Sequence, residues 1–245
     1  MSYNRLGIQD IETTKKQFLK DVAVNSSEPV NQPMLSSIQV GMPQTLTDEN
    51  WPDADKSSWT TGIYKSPVDG WVNVGEVNID GDGFADLVHH GGIDKAVLAY
   101  SGDHYEAWRS EYEDQQVVSG MFGENLTFSG LDETMVCIGD HFQINDVVFE
   151  VSQPRQPCWK LARRWNWKEL PKRVVQTARC GWYCRVLQTG TIKSDLPVEL
   201  IHRVNPKWTI KRAHQICYDK SADQADRQEL IALKELSKAF RDELL

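Results

Sequence analysis

One run of residues carries more chemistry than any other in the sequence: Ser152-Gln-Pro-Arg155-Gln-Pro-Cys158-Trp-Lys160-Leu. Pro154 and Pro157 fix their own φ angles and stiffen a short loop. Pro157 bars the residue before it from helical geometry, so a helix begins at or after it and Cys158 falls near that helix's start. Unpaired N–H groups and the macrodipole favour negative charge there. Arg155 and Lys160 add a cation on either side. A free thiol has a pKa of about 8.5, and such surroundings lower it. A thiolate held this way is a nucleophile or a soft-metal ligand. The blander alternative is a buried structural cysteine. The stiff loop, the helix start and the flanking cations together favour the working thiol.

A second run, His89-His90-Gly91-Gly92-Ile93-Asp94-Lys95, follows a strand-like stretch. Neighbours on a strand face opposite ways, so the two histidines cannot easily share a metal. One of them points into a site, or the run is a glycine turn with one satisfied histidine. Gly91 and Gly92 let a backbone approach a ligand closely. In Gly123-Glu-Asn125-Leu, Asn125 either binds a ligand edge or closes a turn. Asp80-Gly-Asp-Gly-Phe-Ala-Asp86 imitates a calcium loop. It has Ala85 and Gly91 where such a loop needs Gly and Glu, and so reads as an acidic turn.

The other cysteines carry less. Cys180 and Cys184 are four apart, on one side of a strand and too distant for easy bridging. They read as core, as do Cys137 and Cys217. No CxxC pair occurs, which disfavours a zinc ribbon. GxGxxG, GxxxxGK[ST], GxSxG and HExxH are all absent, removing the common dehydrogenase, kinase, esterase and zinc-protease readings.

The elements that must position these residues are mostly short strands, expected near residues 36–41, 71–79, 96–100, 147–151, 182–187 and 198–204. Glycine and Asp/Asn turns separate them. Irregular spacing with few helices favours a barrel over a doubly wound sheet. Two helices interrupt, one over residues 103–112 and one from Cys158 through Leu161, Ala162 and Trp165. Residues 1–33 form an arm, in which Ile11, Phe18, Leu19 and Val22 line a helix over residues 10–23. A linker with two prolines follows. After Pro206 three short helices are expected. The first is capped by Thr209 and carries Ile210, Ala213, Ile216 and Cys217 on one side. The second spans residues 223–233, and the third follows Ser237.

The chain has 245 residues, 40% hydrophobic, with nine tryptophans. That length and composition suit one large domain, or one domain with a small appendage. No apolar run approaches the roughly 18 residues of a membrane helix. The first residues lack the apolar stretch of a secretion signal, so a cytoplasmic protein is expected. With 27 basic and 35 acidic residues the formal charge is −8, which argues against non-specific nucleic-acid binding. Yet from Arg155 to Arg185 nine basic residues face Glu169 alone, a net of +8. Such an island marks a local anionic ligand or one solvated helix face.

Taken in order, the pieces Gly75…Asp80-Gly-Asp-Gly…Ala85-Asp86, His90-Gly-Gly-x-Asp94-Lys95-Ala-Val, Gly123-Glu-Asn125-Leu, Ser152-Gln-Pro-Arg155-x-Pro-Cys158 and Gly181-Trp-Tyr resemble the MOSC domain. That domain is named for the C-terminal part of molybdenum cofactor sulfurases. The nearer resemblance is to its stand-alone bacterial branch, the YiiM-like proteins, which also carry a C-terminal three-helix domain. The resemblance covers residues 34–245; the arm and His89 have no counterpart in it.

It implies a mainly β fold with some α: a MOSC-type β-barrel over residues 34–205 with a few peripheral helices, followed by a three-helix domain over residues 206–245. It also implies a bound molybdenum cofactor (molybdopterin). In amidoxime-reducing relatives a cysteine ligates molybdenum; carried over, that ligand and catalytic residue is Cys158. His90, Lys95, Asn125 and Arg155 are the motif-matched candidates for holding the pterin and its phosphate. Lys160 and Arg179 join them through the charge island alone.

The implied activity is reduction of small N-hydroxylated compounds, of the hydroxylaminopurine or amidoxime type. Electrons would come from a separate reductase, since no flavin or iron–sulfur motif is visible. The alternative is a carrier of persulfide sulfur or of the cofactor, without turnover of its own. No pyridoxal phosphate, nucleic-acid partner or membrane is expected, and a homodimer is among the allowed assemblies.

Overall fold

The expected strands fold into one curled sheet in a computed structural model that describes residues 13–14, 16–17, 32–47, 57–86, 90–112 and 117–245. Its spine runs β12 (Leu196–Pro197), β1 (Met34–Val40), β7 (Leu126–Ser129), β6 (Val97–Ser101), β10 (Trp182–Gln188), β9 (Val147–Pro154), β8 (His141–Ile144) and β13 (Glu199–His202). A ninth strand, β4 (Ser66–Pro67), pairs with β1 off this path. The sheet is mixed: β6 and β7 are parallel, and the other pairs are antiparallel. Two small ribbons flank it, β2 (Gln44–Thr47) with β3 (Ser58–Thr61) and β5 (Val72–Val74) with β11 (Gly190–Ile192).

The sequence reading expected a β-barrel, and the sheet is a half-barrel. β12 and β13 lie at opposite edges, yet only Val198 separates them in the chain. The sheet therefore curls until its edges approach at that residue. No ladder joins them among the described residues. β12 is two residues long, and Pro197 has no N–H with which to extend a ladder.

Six α-helices are described: α1 (His104–Glu111), α2 (Trp159–Arg164), α3 (Leu170–Thr177), α4 (Ile210–Tyr218), α5 (Gln224–Ala232) and α6 (Lys238–Leu244). The last three are capped by side chains, the first by Thr209 as expected. Thr209, Asp223 and Ser237 each accept a backbone N–H of the helix they open. The sequence reading passed over α3. Pro171 sits in its first turn, where a missing N–H costs nothing, and Ala178 ends it in left-handed geometry at φ 56°.

One apolar core runs from Leu35 and Ile38 through Trp108 and Trp182 to Trp208 and Phe240. The C-terminal helices are thus part of the same packing as the sheet. All five cysteines are free; Cys137, Cys180 and Cys184 are buried, and Cys158 and Cys217 are half-buried. Among the described residues, no helix is long and apolar enough to cross a membrane. Ile11, Phe18, Leu19, Val22 and His89 lie outside the described residues, while Thr13, Thr14, Lys16 and Gln17 of the expected N-terminal helix are helical.

Candidate functional site

Strand ends and loops that are remote in sequence meet around one cavity of about 610 Å³, its open mouth included. Its walls come from the stretch Thr61–Ile63 with Lys65, from Gly83–Asp86, from Gly91, from Leu98 of β6, from Phe122 and Gly123, and from Tyr183 of β10. Six of the seven residues singled out from sequence line it: His90, Lys95, Asn125, Arg155, Cys158 and Lys160.

Cys158 is the residue immediately before α2, with extended φ and ψ of −107° and 164°. Its carbonyl accepts from the Leu161 N–H at 3.1 Å, closing the first turn. The side chain lines the cavity and is half-buried. The proline-stiffened loop therefore presents the thiol to the cavity.

Arg155 is the strongest electrostatic feature. The residue is only 4% exposed. Its backbone N–H donates to Gly181 at 3.0 Å and Nη2 donates to the Phe122 carbonyl at 3.3 Å, while Nη1 is buried with no hydrogen-bond partner. Among the described residues no carboxylate pairs with it. A buried cation with an unmet donor is costly unless a ligand supplies the counter-charge. Lys160 stands nearby, its Nζ donating to the Thr60 carbonyl at 3.1 Å. Lys95 Nζ lies 5.7 Å from the centre of the Tyr183 ring.

His90 lines the cavity as a neutral imidazole. Burial pushes its pKa down to about 4, and the Lys160 and Arg155 charges push the same way. Asp86 Oδ2 lies 4.0 Å from its Nδ1, and that nitrogen has no hydrogen-bond partner. Gly91 has φ +125°, and a Cβ there would meet the Phe84 ring at 2.7 Å. The room at Gly91 is thus taken by a side chain, whereas Gly92 faces open space. Burial raises the Tyr183 hydroxyl to about 12, with Arg155 opposing, so it keeps its proton at neutral pH.

Asn125 lines the cavity with its amide already committed. Oδ1 accepts from the Leu98 N–H at 3.1 Å, and Nδ2 donates to Asp82 at 2.9 Å and to the Gln39 carbonyl at 3.3 Å. Asp82 also accepts from the Gly41 N–H and pairs with Lys65, which lines the cavity. Burial lowers the Lys65 pKa and Asp82 raises it again. The acidic turn is therefore a strut behind the cavity wall.

Arg179 lies away from the cavity lining. It pairs with Glu111 at 2.7 Å and packs over the Trp108 ring at 4.9 Å. Part of the basic island is neutralised in the same manner: Glu111 also holds Arg173, Glu169 holds Lys172, and Asp94 and Glu150 hold Arg185. Only part of the island's charge faces a ligand. Sequence reasoning missed Lys65, Phe84 and Tyr183; Tyr183 belongs to the quoted Gly181-Trp-Tyr piece, and period-2 alternation against buried Trp182 and Cys184 places it on the opposite face.

Comparison with known proteins agrees with this architecture. Residues 86–199 match the family model described as MOSC domain. The chain is 39% identical over 205 residues to the uncharacterized protein YflK of Bacillus subtilis, covering 84% of this chain and 90% of that one. The crystal structure of YiiM from Geobacillus stearothermophilus superposes with a TM-score of 0.72 at 33% identity, over 86% of this chain and 97% of that one. The chain belongs to the YiiM-like MOSC family. A protein of Gibberella moniliformis named a reductase is also 39% identical over 160 residues, which are 64% of this chain and 28% of that longer protein. Within a MOSC domain the cavity occupies the region where all the quoted family pieces converge.

The residues present fit a molybdenum cofactor. Cys158 offers a soft sulfur donor, the type that suits such metals. Arg155 offers a buried cation whose free Nη1 matches a phosphate oxygen.

Proposed function

We propose that this MOSC protein is a molybdenum-cofactor-dependent oxidoreductase that reduces small N-hydroxylated compounds to amines or amidines, with Cys158 as the molybdenum ligand. The observation that carries it is one cavity lined by both a half-buried thiol and a buried guanidinium with an unmet donor. The MOSC family's association with this cofactor supports the reading.

The reaction takes R–NHOH, two electrons and two protons to R–NH2 and water. When bound, the cofactor supplies the two-electron redox chemistry for removing oxygen from nitrogen. Cys158 holds the metal. Arg155, Lys160 and Lys95 hold the anionic phosphate, while neutral His90 offers ring nitrogens without adding charge. Ile63, Phe84 and Phe122 exclude water, which strengthens each of these interactions. Tyr183, protonated at neutral pH, offers a hydroxyl donor to the substrate's nitrogen or oxygen. Electrons come from a separate reductase.

The test is reduction of hydroxylaminopurine and benzamidoxime with a chemical electron donor, comparing wild type and Cys158→Ala. Turnover lost in a folded alanine variant is the expected result. An equally active, cofactor-replete alanine variant contradicts it. A stable adduct of about 32 Da on Cys158, one sulfur atom, in molybdenum-free protein would instead favour a sulfur carrier.

A further inference from the structure

Asp94 belongs to the His90-Gly-Gly-x-Asp94-Lys95 run, yet it does not line the cavity as Lys95 does. Residues Ile93–Lys95 form a single 3-10 turn entered through Gly92 at φ 82° and closed by the Lys95 N–H on the Gly92 carbonyl at 3.0 Å. Consecutive residues of such a turn point about 120° apart. Lys95 lies over Tyr183 and Asp94 meets Arg185, two residues on along β10 and on the same strand face.

Asp94 is held on three sides. Its Oδ1 accepts from Arg185 Nε at 2.7 Å, its Oδ2 from the Lys238 N–H at 3.4 Å, and its carbonyl from Ser152 Oγ at 2.6 Å. Arg185 is itself fixed by Glu150 at 2.6 Å and by the Glu235 carbonyl at 2.7 Å. Ser237 ties the same C-terminal segment to β9, donating from N to the Ser152 carbonyl at 3.0 Å and from Oγ to Gln153 at 2.6 Å. Those two β9 residues lead directly into Pro154, Arg155 and Cys158.

We propose that Asp94 is a positioning residue: clamped from behind by Arg185 and the start of α6, it aims Lys95 into the cavity and so sets the cavity's affinity for an anion. This rests on reading the cavity as an anion site. The C-terminal helices then act on the site as a brace rather than as a covering. A field effect and a positioning effect have opposite signs here. Removing a carboxylate near an anion site raises anion affinity by electrostatics alone, whereas loosening the turn lowers it.

The test is calorimetric titration of inorganic phosphate at pH 7 into full-length protein, produced in a host unable to make the molybdenum cofactor. Wild type, Asp94→Asn, Lys95→Ala and the double variant are compared, each with its thermal midpoint. Asp94→Asn is expected to weaken phosphate binding about tenfold, the weight of one charge-assisted hydrogen bond. In the Lys95→Ala background the same change is expected to add nothing, because Asp94 acts through Lys95. Arg185→Lys, whose single ammonium cannot span Asp94 and Glu150 as the guanidinium does, is expected to reproduce the loss. Unchanged or tighter binding by Asp94→Asn, or additive losses in the double variant, overturns the positioning role while leaving the anion site standing. A wild type that binds no phosphate overturns the anion site and the proposal together.

Discussion

The side-chain amide of Asn125 donates to Oδ2 of Asp82 at 2.9 Å, across 43 residues of chain. It joins two pieces of the family pattern, the acidic turn and the Gly-Glu-Asn-Leu run, into one strut behind the cavity. Asp82 is at the same time the counter-ion of buried Lys65.

Asp82→Ala is therefore expected to strand a buried ammonium. Breaking one half of a buried pair costs about 3–5 kcal/mol. Urea denaturation measures it, and a loss below about 1 kcal/mol, the level of a surface pair, would show the strut to be dispensable.

Arg155→Met separates function from stability. An apolar side chain of similar length in place of a buried unpaired cation is expected to be neutral or stabilising, by up to about 2 kcal/mol. Phosphate affinity is expected to fall by about tenfold or more in the same variant. A variant that loses stability while keeping its affinity would make Arg155 a scaffold residue.

Arg179→Ala is expected to leave phosphate affinity and cofactor content unchanged. It removes one ion pair with Glu111 and a contact with Trp108, at about 1 kcal/mol of stability. Loss of cofactor in this variant would return Arg179 to the site.

His90 gives a pH signature. Its pKa is about 4 in the fold and near 6.5 when unfolded. Between those values the unfolded chain binds a proton that the folded chain does not, so stability rises with pH across the window. The contribution is complete above pH 6.5 and is lost as the pH falls toward 4. His90→Gln is expected to flatten that part of the stability profile. An NMR titration placing the imidazole near 6.5 would contradict it.

Local chemistry was legible in the sequence where neighbours along the chain decide it. Pro157 fixes the helix start at Cys158, and Thr209, Asp223 and Ser237 cap their helices through bonds spanning only two or three residues. What spacing cannot carry is pairing at a distance. The carboxylates that neutralise Arg179 and Arg185 come from Glu111 and Asp94, 68 and 91 residues away, so a basic run that left a ligand site and a solvated face both open is in part scaffold. Lys65 and Phe84 were invisible for the same reason, since each reaches the cavity only through the curl of the sheet. Whether the sheet would close turned on a two-residue strand ending in Pro197.

Molybdenum K-edge X-ray absorption of the cofactor-loaded protein, beside Cys158→Ser, tests the central claim most directly. A Mo–S scatterer is expected in the wild type that the serine variant lacks. Identical sulfur scattering in the two proteins would contradict ligation by Cys158.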